Sequence, residues 1–186
     1  MKNVLLLIAF LCFFVQLNAQ AFQEPAGRKT LSLTLSGGAA FPVGIADYNA
    51  GATSSLSLNY SSKAGTFNLL YAGSFLYAPK SSTSIFNFIF MNNYGVGYSY
   101  NFLPSKKLFT TVDISYSEVE YIITSVKTPK YTGANIGLTI GYTFWAMKKG
   151  AFSVSANYHY ANLQSKNFSN AGLGLHYSFP LKIWKE

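Results

Sequence analysis

The sequence is poor in charge. Only 11% of its 186 residues are Asp, Glu, Lys or Arg, against about 25% in an ordinary soluble domain. Six residues are acidic and fourteen basic, and the basic ones are spread over separate short segments without a patch or a nucleic-acid motif. That distribution argues against a nucleic-acid partner. Because 17% of the residues are aromatic, the composition favours a chain in contact with lipid.

Long hydrophobic runs are absent except at the N-terminus. Lys2 is followed by an apolar run over residues 4–15, and Ala19 and Ala21 form a small-x-small cleavage signal. The run is too short to cross a bilayer as a helix. These features are typical of a secretory signal peptide, which we predict to be cleaved and to occupy residues 1–21.

Cysteine is almost absent as well. The single one, Cys12, lies inside the predicted signal peptide, so the exported chain has no disulfide and no thiolate metal ligand. An exported domain without disulfides needs another source of stability. We expect residues 22–30 to form a polar N-terminal lead and residues 31–186 to form one domain.

In that domain, apolar and polar residues alternate instead of forming long hydrophobic runs. Over residues 134–144 every even position is apolar and every odd position is small or polar. A side-chain period of two predicts a strand with one apolar face, and about 9–11 residues suffice to cross a bilayer as a tilted strand. No segment after the leader is apolar enough for a spanning helix, as expected for membrane barrels.

The pattern recurs eight times, which predicts an all-β fold: an eight-stranded antiparallel up-and-down transmembrane β-barrel. The second, fourth and sixth connections are short, over residues 61–65, 103–107 and 145–150. Outer-membrane barrels have short periplasmic turns and longer outer loops, so both termini are expected in the periplasm of a bacterium. The predicted strands are 31–41, 55–60, 66–77, 86–102, 108–116, 134–144, 152–160 and 173–179.

Three titratable residues are predicted to point into the barrel. Asp113 is the only charged residue in the middle of a strand, and His159 and His176 share its inward parity. One interpretation is a proton-coupled or catalytic site. We favour a lumenal hydrogen-bond network, because a carboxylate inside a narrow barrel must be paired or neutralised. Its expected partners are the histidines, Ser and Thr hydroxyls or water.

A second candidate site is an apolar surface at the outer end. The start of the fourth strand should stand above the membrane, and a long loop over residues 117–131 has an apolar centre. Exposed apolar residues there, beside mixed charges, indicate a surface for lipopolysaccharide or a protein partner. The residues are Phe86, Phe88, Phe90, Tyr121 and Ile123.

No phosphate-binding loop, metal-ligand spacing or dinucleotide fingerprint is present, so we predict no enzyme, no cofactor and no metal. The main hypothesis is a structural or interaction barrel embedded in outer-membrane lipids. A narrow channel or small-ligand-binding barrel is the alternative, since the small lumenal residues leave room in an interior that side chains otherwise fill. A soluble lipocalin-like barrel would place the apolar face inside, which the Tyr-rich strand ends disfavour.

The predicted signal peptide, eight alternating strands, Lys-bearing short turns and the Gly-Gly-Ala-Ala-Phe-Pro-Val-Gly segment at residues 37–44 resemble a known family. The chain is similar to the small outer-membrane β-barrel proteins with OmpA/OmpX-type transmembrane domains. The resemblance implies an eight-stranded barrel in the outer membrane without a specific activity. That family often ends on an aromatic residue read by the outer-membrane assembly machinery, so recognition here is either internal or uses Trp184.

Residues 169–172, Ser-Asn-Ala-Gly, resemble the segment around the active site of lipid A deacylases, which are also eight-stranded barrels. In that family a His precedes the Ser by two positions, and Asn167 stands there in this chain. Without a general base the serine is not activated. An outer-membrane lipid-modifying enzyme is therefore only a remote alternative.

Overall fold

A computed structural model describes residues 29–44, 48–78, 87–102, 107–122, 130–147, 150–164 and 166–184. The predicted signal peptide lies outside these residues, and Lys29 and Thr30, assigned above to the lead, already belong to the first strand. No helix among the described residues is long and apolar enough to span a membrane. The strands are β1 Lys29–Val43, β2 Asn49–Ser61, β3 Thr66–Tyr77, β4 Phe88–Asn101, β5 Leu108–Ile122, β6 Lys130–Met147, β7 Gly150–Leu163 and β8 Asn167–Trp184.

The strands close into a barrel in chain order. Each pairs antiparallel with the next, and β8 pairs with β1, which confirms the predicted fold class. A path of paired residues that starts at Leu33 and passes once around the barrel returns to β1 at Val43, ten residues further along. A stagger of this kind requires the strands to run obliquely to the barrel axis.

The two ends of the barrel are distinct. One end, here called the termini end, holds Lys29 and Trp184 together with the connections after β2, β4 and β6. The opposite end is called the far end. The connection after β2 is a tight turn in which the Ser62 amide donates to the Gly65 carbonyl over 2.9 Å. Gly65 has a φ of 148°, and a side chain there would overlap the Tyr98 ring, so the turn requires glycine.

The barrel is apolar outside and polar inside across its central part. Leu69, Val96 and Ile114 point outward and are each 61% exposed. Of the six inward positions directly beside them, five are polar or glycine and only one, Leu70, is apolar. A water-soluble barrel would have the reverse arrangement. The outer surface therefore matches a hydrocarbon environment, and the strands are long enough to cross one. Near the termini end, rings on adjacent strands pack together, as Trp145 stacks on Phe152 at 5.5 Å.

The strands extend further at the far end than the sequence predicted. Strand β5 runs to Ile122, although residues 117–131 were predicted to be a loop, and β8 starts at Asn167. The reason is an inversion of polarity: Val119 and Tyr121 point inward and are buried, while Glu118 points outward. Beyond the hydrocarbon layer a strand faces water outside and needs apolar contacts inside, so the alternation continues with its polarity exchanged.

Candidate functional site

The lumen brings Asp113 and His159 together across one glycine. In the sheet, Asp113 pairs with Gly137, and Gly137 pairs with His159 on the other side. The Asp113 Oδ1 lies 3.9 Å from the His159 Nδ1. A Cβ at Gly137 would overlap the Asp113 carboxylate. The absence of a side chain at position 137 is therefore what lets the two titratable groups meet over an intervening strand.

Amide side chains surround this pair. The Asn135 Nδ2 donates to the Ser115 Oγ over 2.9 Å and lies 3.4 Å from the His159 Nδ1. Asn170 is the β8 residue paired with His159. Three buried oxygens in this group have no hydrogen-bond partner among the described residues: Asp113 Oδ1, Asn135 Oδ1 and Asn170 Oδ1. Buried acceptors are normally satisfied, which marks this part of the lumen as unusual.

His176 points inward as predicted from its parity but belongs to a different contact. Its Nε2 lies 2.6 Å from the Ser155 Oγ. A Ser–His contact resembles the start of a catalytic triad, yet no carboxylate orients His176 among the described residues, since Asp113 lies beside His159. The described residues also contain no group of three or more His, Cys, Asp and Glu side chains suited to a metal.

Towards the termini end the lumen is lined by small hydroxyl and amide groups. Asn68 donates to Ser99 over 2.7 Å, and Ser99 lies 2.6 Å from Thr111. On the adjoining strands β2 and β1, Asn59 donates to Thr34 over 2.8 Å. Most of these side chains are only half-buried, so this part of the interior is accessible to water.

At the far end the interior is filled by apolar side chains, here called the apolar cap. The Nζ of Lys166 lies above the cap, 5.5 Å from the ring centroid of Tyr121 and 5.7 Å from that of Tyr131. Burial raises the pKa of the Tyr121 hydroxyl. Every cap residue is at least nine-tenths buried, so the cap closes the far end of the lumen. Its residues are Ala40, Leu76, Ile89, Met91, Val119, Tyr121, Ala161, Leu163 and Phe168.

The position of Tyr121 corrects the predicted outer surface. Its side chain is part of the apolar cap and faces the interior, because β5 continues past the residue where a loop was expected. Phe86 and Ile123 lie outside the described residues. Phe88 and Phe90 do face outward at the far end, on β4.

Phe88 and Phe90 belong to a larger outward cluster, here called the aromatic patch: Phe75, Tyr77, Phe88 and Phe90. The ring of Phe88 lies 5.3 Å from that of Phe75 and 5.8 Å from that of Tyr77. Phe75 and Tyr77 lie at the end of the predicted third strand, and the sequence alone did not indicate their contact with Phe88. The antiparallel pairing of Tyr77 with Phe88 creates it.

Charged residues on β5 and β6 lie at the same height as the patch. The Lys130 Nζ is 2.9 Å from the Glu118 Oε2 on the outward face, and this hydrogen bond raises the pKa of Lys130. Phe90 pairs with Glu120 across the β4–β5 ladder. Since charged side chains are costly on a lipid face, the Phe90 edge of the aromatic patch lies outside the hydrocarbon layer.

The barrel has counterparts among solved structures. Neisserial surface protein A superimposes with a TM-score of 0.64 at 11% identity, over 82% of this chain and 98% of that one. The fold is that of the small outer-membrane β-barrels. Two further structures are weaker likenesses. The N-terminal barrel of OprF from Pseudomonas aeruginosa has a TM-score of 0.47 at 12% identity, over 81% of this chain and 99% of that one. Ail from Yersinia pestis has a TM-score of 0.45 at 11% identity, over 82% of this chain and 99% of that one. No family model and no curated protein matches the chain.

In this outer-membrane-type barrel the serine of the deacylase-like segment is poorly placed for catalysis. Ser169 pairs with Tyr160 and shares its outward side of the sheet, whereas His159 and Asn170 point inward. The nearest histidine in the ladder is thus separated from Ser169 by the sheet itself. The described residues give Ser169 no general base, and the likeness to Neisserial surface protein A at 11% identity supports a fold rather than an activity.

Proposed function

We propose that this protein is an integral outer-membrane barrel of the structural or interaction type, and that its far end displays a binding surface outside the cell. The observation that best supports this proposal is the apolar cap. Because it fills the interior at the far end, contact with the surroundings is made by the outward surface rather than by a passage through the lumen.

The features of the two ends support an orientation in the membrane. The tight turns and both chain ends meet at the termini end, as in barrels whose short turns are periplasmic. Lys29, Lys63 and Lys182 also lie there, where they can contact anionic phospholipid headgroups. We assign the termini end to the periplasm and the far end to the cell exterior.

The aromatic patch is the proposed contact surface. Aromatic rings that stand beyond the hydrocarbon layer keep an apolar surface in water, and such surfaces mark interaction sites. Glu118, Glu120 and Lys130 beside the patch carry a net negative charge even with Lys130 bound to Glu118, which disfavours the phosphate groups of lipopolysaccharide. We therefore favour a protein partner over lipopolysaccharide.

A photo-reactive amino acid at Tyr77 is expected to give crosslinks in intact cells that proteinase destroys. The double substitution Phe88→Ser and Phe90→Ser should remove most of this product, because it deletes the rings that form the patch. Phe41 is the matched control, since it faces outward at the far end on β1 and is 40% exposed. Crosslinks that survive proteinase would identify lipopolysaccharide, and equal crosslinking from positions 77 and 41 would contradict the proposed surface.

The alternative, a narrow channel, predicts discrete current steps, whereas the proposed closed barrel predicts none. With the apolar cap in place, the purified protein should give no discrete current steps in a planar bilayer. The double substitution Met91→Ala and Phe168→Ala thins the cap and is the variant in which steps would first appear. Discrete steps from the unmodified protein would favour the channel instead.

A further inference from the structure

We propose that the lumen binds a small monovalent cation, an alkali ion or an ammonium group, between Asp113, Asn135 and Asn170. These side chains are 3%, 0% and 2% exposed and come from β5, β6 and β8. Each presents one buried oxygen without a partner among the described residues. The site lies inside the barrel and does not depend on the aromatic patch outside it.

The three buried oxygens form a site suited to a positive charge. A carboxylate and two amide oxygens are hydrogen-bond acceptors, and none of them can satisfy another. A buried carboxyl group must be paired with a positive charge or be protonated, and the ionisable group beside Asp113 is His159, at 3.9 Å. An imidazolium at that position would be one solution.

The contacts of His159 favour a neutral ring instead. The Asn135 Nδ2, a donor that also bonds Ser115, lies 3.4 Å from the His159 Nδ1. Facing that N–H donor, Nδ1 acts as an acceptor in the tautomer that carries the ring proton on Nε2, and the proposal uses this tautomer. His159 then supplies no positive charge to Asp113, and the carboxylate is left to a bound cation.

The chemistry of the site limits the ligand to a small monovalent ion. One carboxylate gives a single negative charge, whereas tight divalent sites use several, and the described residues hold no larger cluster of metal ligands. A primary ammonium offers three N–H donors to the three free acceptors, and an alkali ion accepts the same hard oxygens. The bare backbone of Gly137 gives the carboxylate its room.

The apolar cap leaves the termini end as the side from which a cation would reach this site. The cap residues Met91 and Phe168 close the lumen towards the far end. Towards the termini end, the half-buried Ser, Thr and Asn side chains form a polar interior that water can reach. A cation would therefore enter from the termini end, and a bulky organic cation would be excluded by the width of an eight-stranded barrel.

The test compares cations at constant ionic strength and constant chloride. The midpoint of thermal unfolding of the purified protein in detergent is measured in sodium, potassium, ammonium or methylammonium chloride, against choline chloride. A ligand that binds only the folded state stabilises it, so the midpoint should rise by a few degrees with at least one small cation. A rise with sodium or potassium identifies an alkali ion, and a rise confined to ammonium and methylammonium identifies an amine.

Two variants tie the effect to the site. Asp113→Asn keeps the shape but removes the charge, so the cation-dependent shift should vanish. His176→Gln is the matched control, because this second lumenal histidine contacts Ser155, and its shift should match that of the unmodified protein. The same shift in Asp113→Asn, or equal midpoints in all five salts, would overturn the proposal and leave water or an imidazolium as the partner of Asp113.

A measurement that does not depend on stability covers the case in which Asp113→Asn fails to fold. Sodium-23 line broadening by the folded protein should be reversed by the preferred cation and reduced by Gly137→Ala, whose methyl group displaces the carboxylate. Sodium-23 broadening that is unchanged in Gly137→Ala would overturn the cation site. So would the absence, in the unmodified protein, of both sodium-23 broadening and a rise of the unfolding midpoint with ammonium or methylammonium.

Discussion

Arginine in place of Leu69 is expected to lower the free energy of unfolding in a bilayer by about 2–4 kcal/mol, the cost of this side chain on a lipid face near the bilayer midplane. Leu69 is 61% exposed on the outward face. Its partners on the two neighbouring strands are Leu58 and Val96, so no polar side chain is at hand to receive the guanidinium. Urea unfolding of the protein in phosphatidylcholine vesicles measures the loss.

Asn162→Arg is the matched control on the same outward surface. Asn162 is exposed near the far end of β7, where arginine should cost only about 0–1 kcal/mol. Equal losses at positions 69 and 162 would contradict the depth of the lipid-facing band. A Leu69→Arg variant that is soluble and fully stable in water would favour the lipocalin-like alternative.

Alanine in place of Phe168 should lower the free energy of unfolding by about 3–5 kcal/mol, as is typical when a buried phenylalanine leaves a cavity. Phe168 is 2% exposed and is among the largest fully buried side chains. It lies in the apolar cap, where lipid cannot enter to fill the space. The same urea titration measures the change.

The comparison for this variant is Phe41→Ala. Phe41 is 40% exposed at the same end of the barrel but points outward, so its removal leaves no internal cavity. A clearly smaller loss is expected there. If Phe168→Ala cost no more than Phe41→Ala, the cap would not be packed as a core, and the closed lumen would lose its main support.

The number and order of the strands could be predicted from the sequence, because the period of two persists wherever one face of a strand meets lipid. Strand β3 was predicted over the same residues that the structure shows, Thr66–Tyr77. The limits of β5 and β8 were wrong for a physical reason. The prediction equated the apolar face with the outward face, and this rule fails once the strand leaves the hydrocarbon layer.

The candidate site was predictable only in its parts. The inward direction of Asp113 and His159 follows from parity, but their contact depends on the registers of two ladders that meet at Gly137. A single sequence does not contain those registers. Tyr121 was misplaced because it directly follows two closely spaced glutamates, Glu118 and Glu120, in a stretch that reads as a loop. It is instead an inward position on a strand whose outward face carries those two glutamates.

The ladder between β1 and β8 has a consequence for biogenesis. It joins Lys29 to Trp184 and Val43 to Ser169. One edge of the first strand therefore stays unpaired until the last strand has been synthesised. A chain arrested before Asn167 would present the open edges of β1 and β7, and each unpaired backbone group costs several kcal/mol in hydrocarbon. Insertion is therefore coupled to completion of the chain, and a protease that removes unclosed intermediates would act as a check on full-length synthesis.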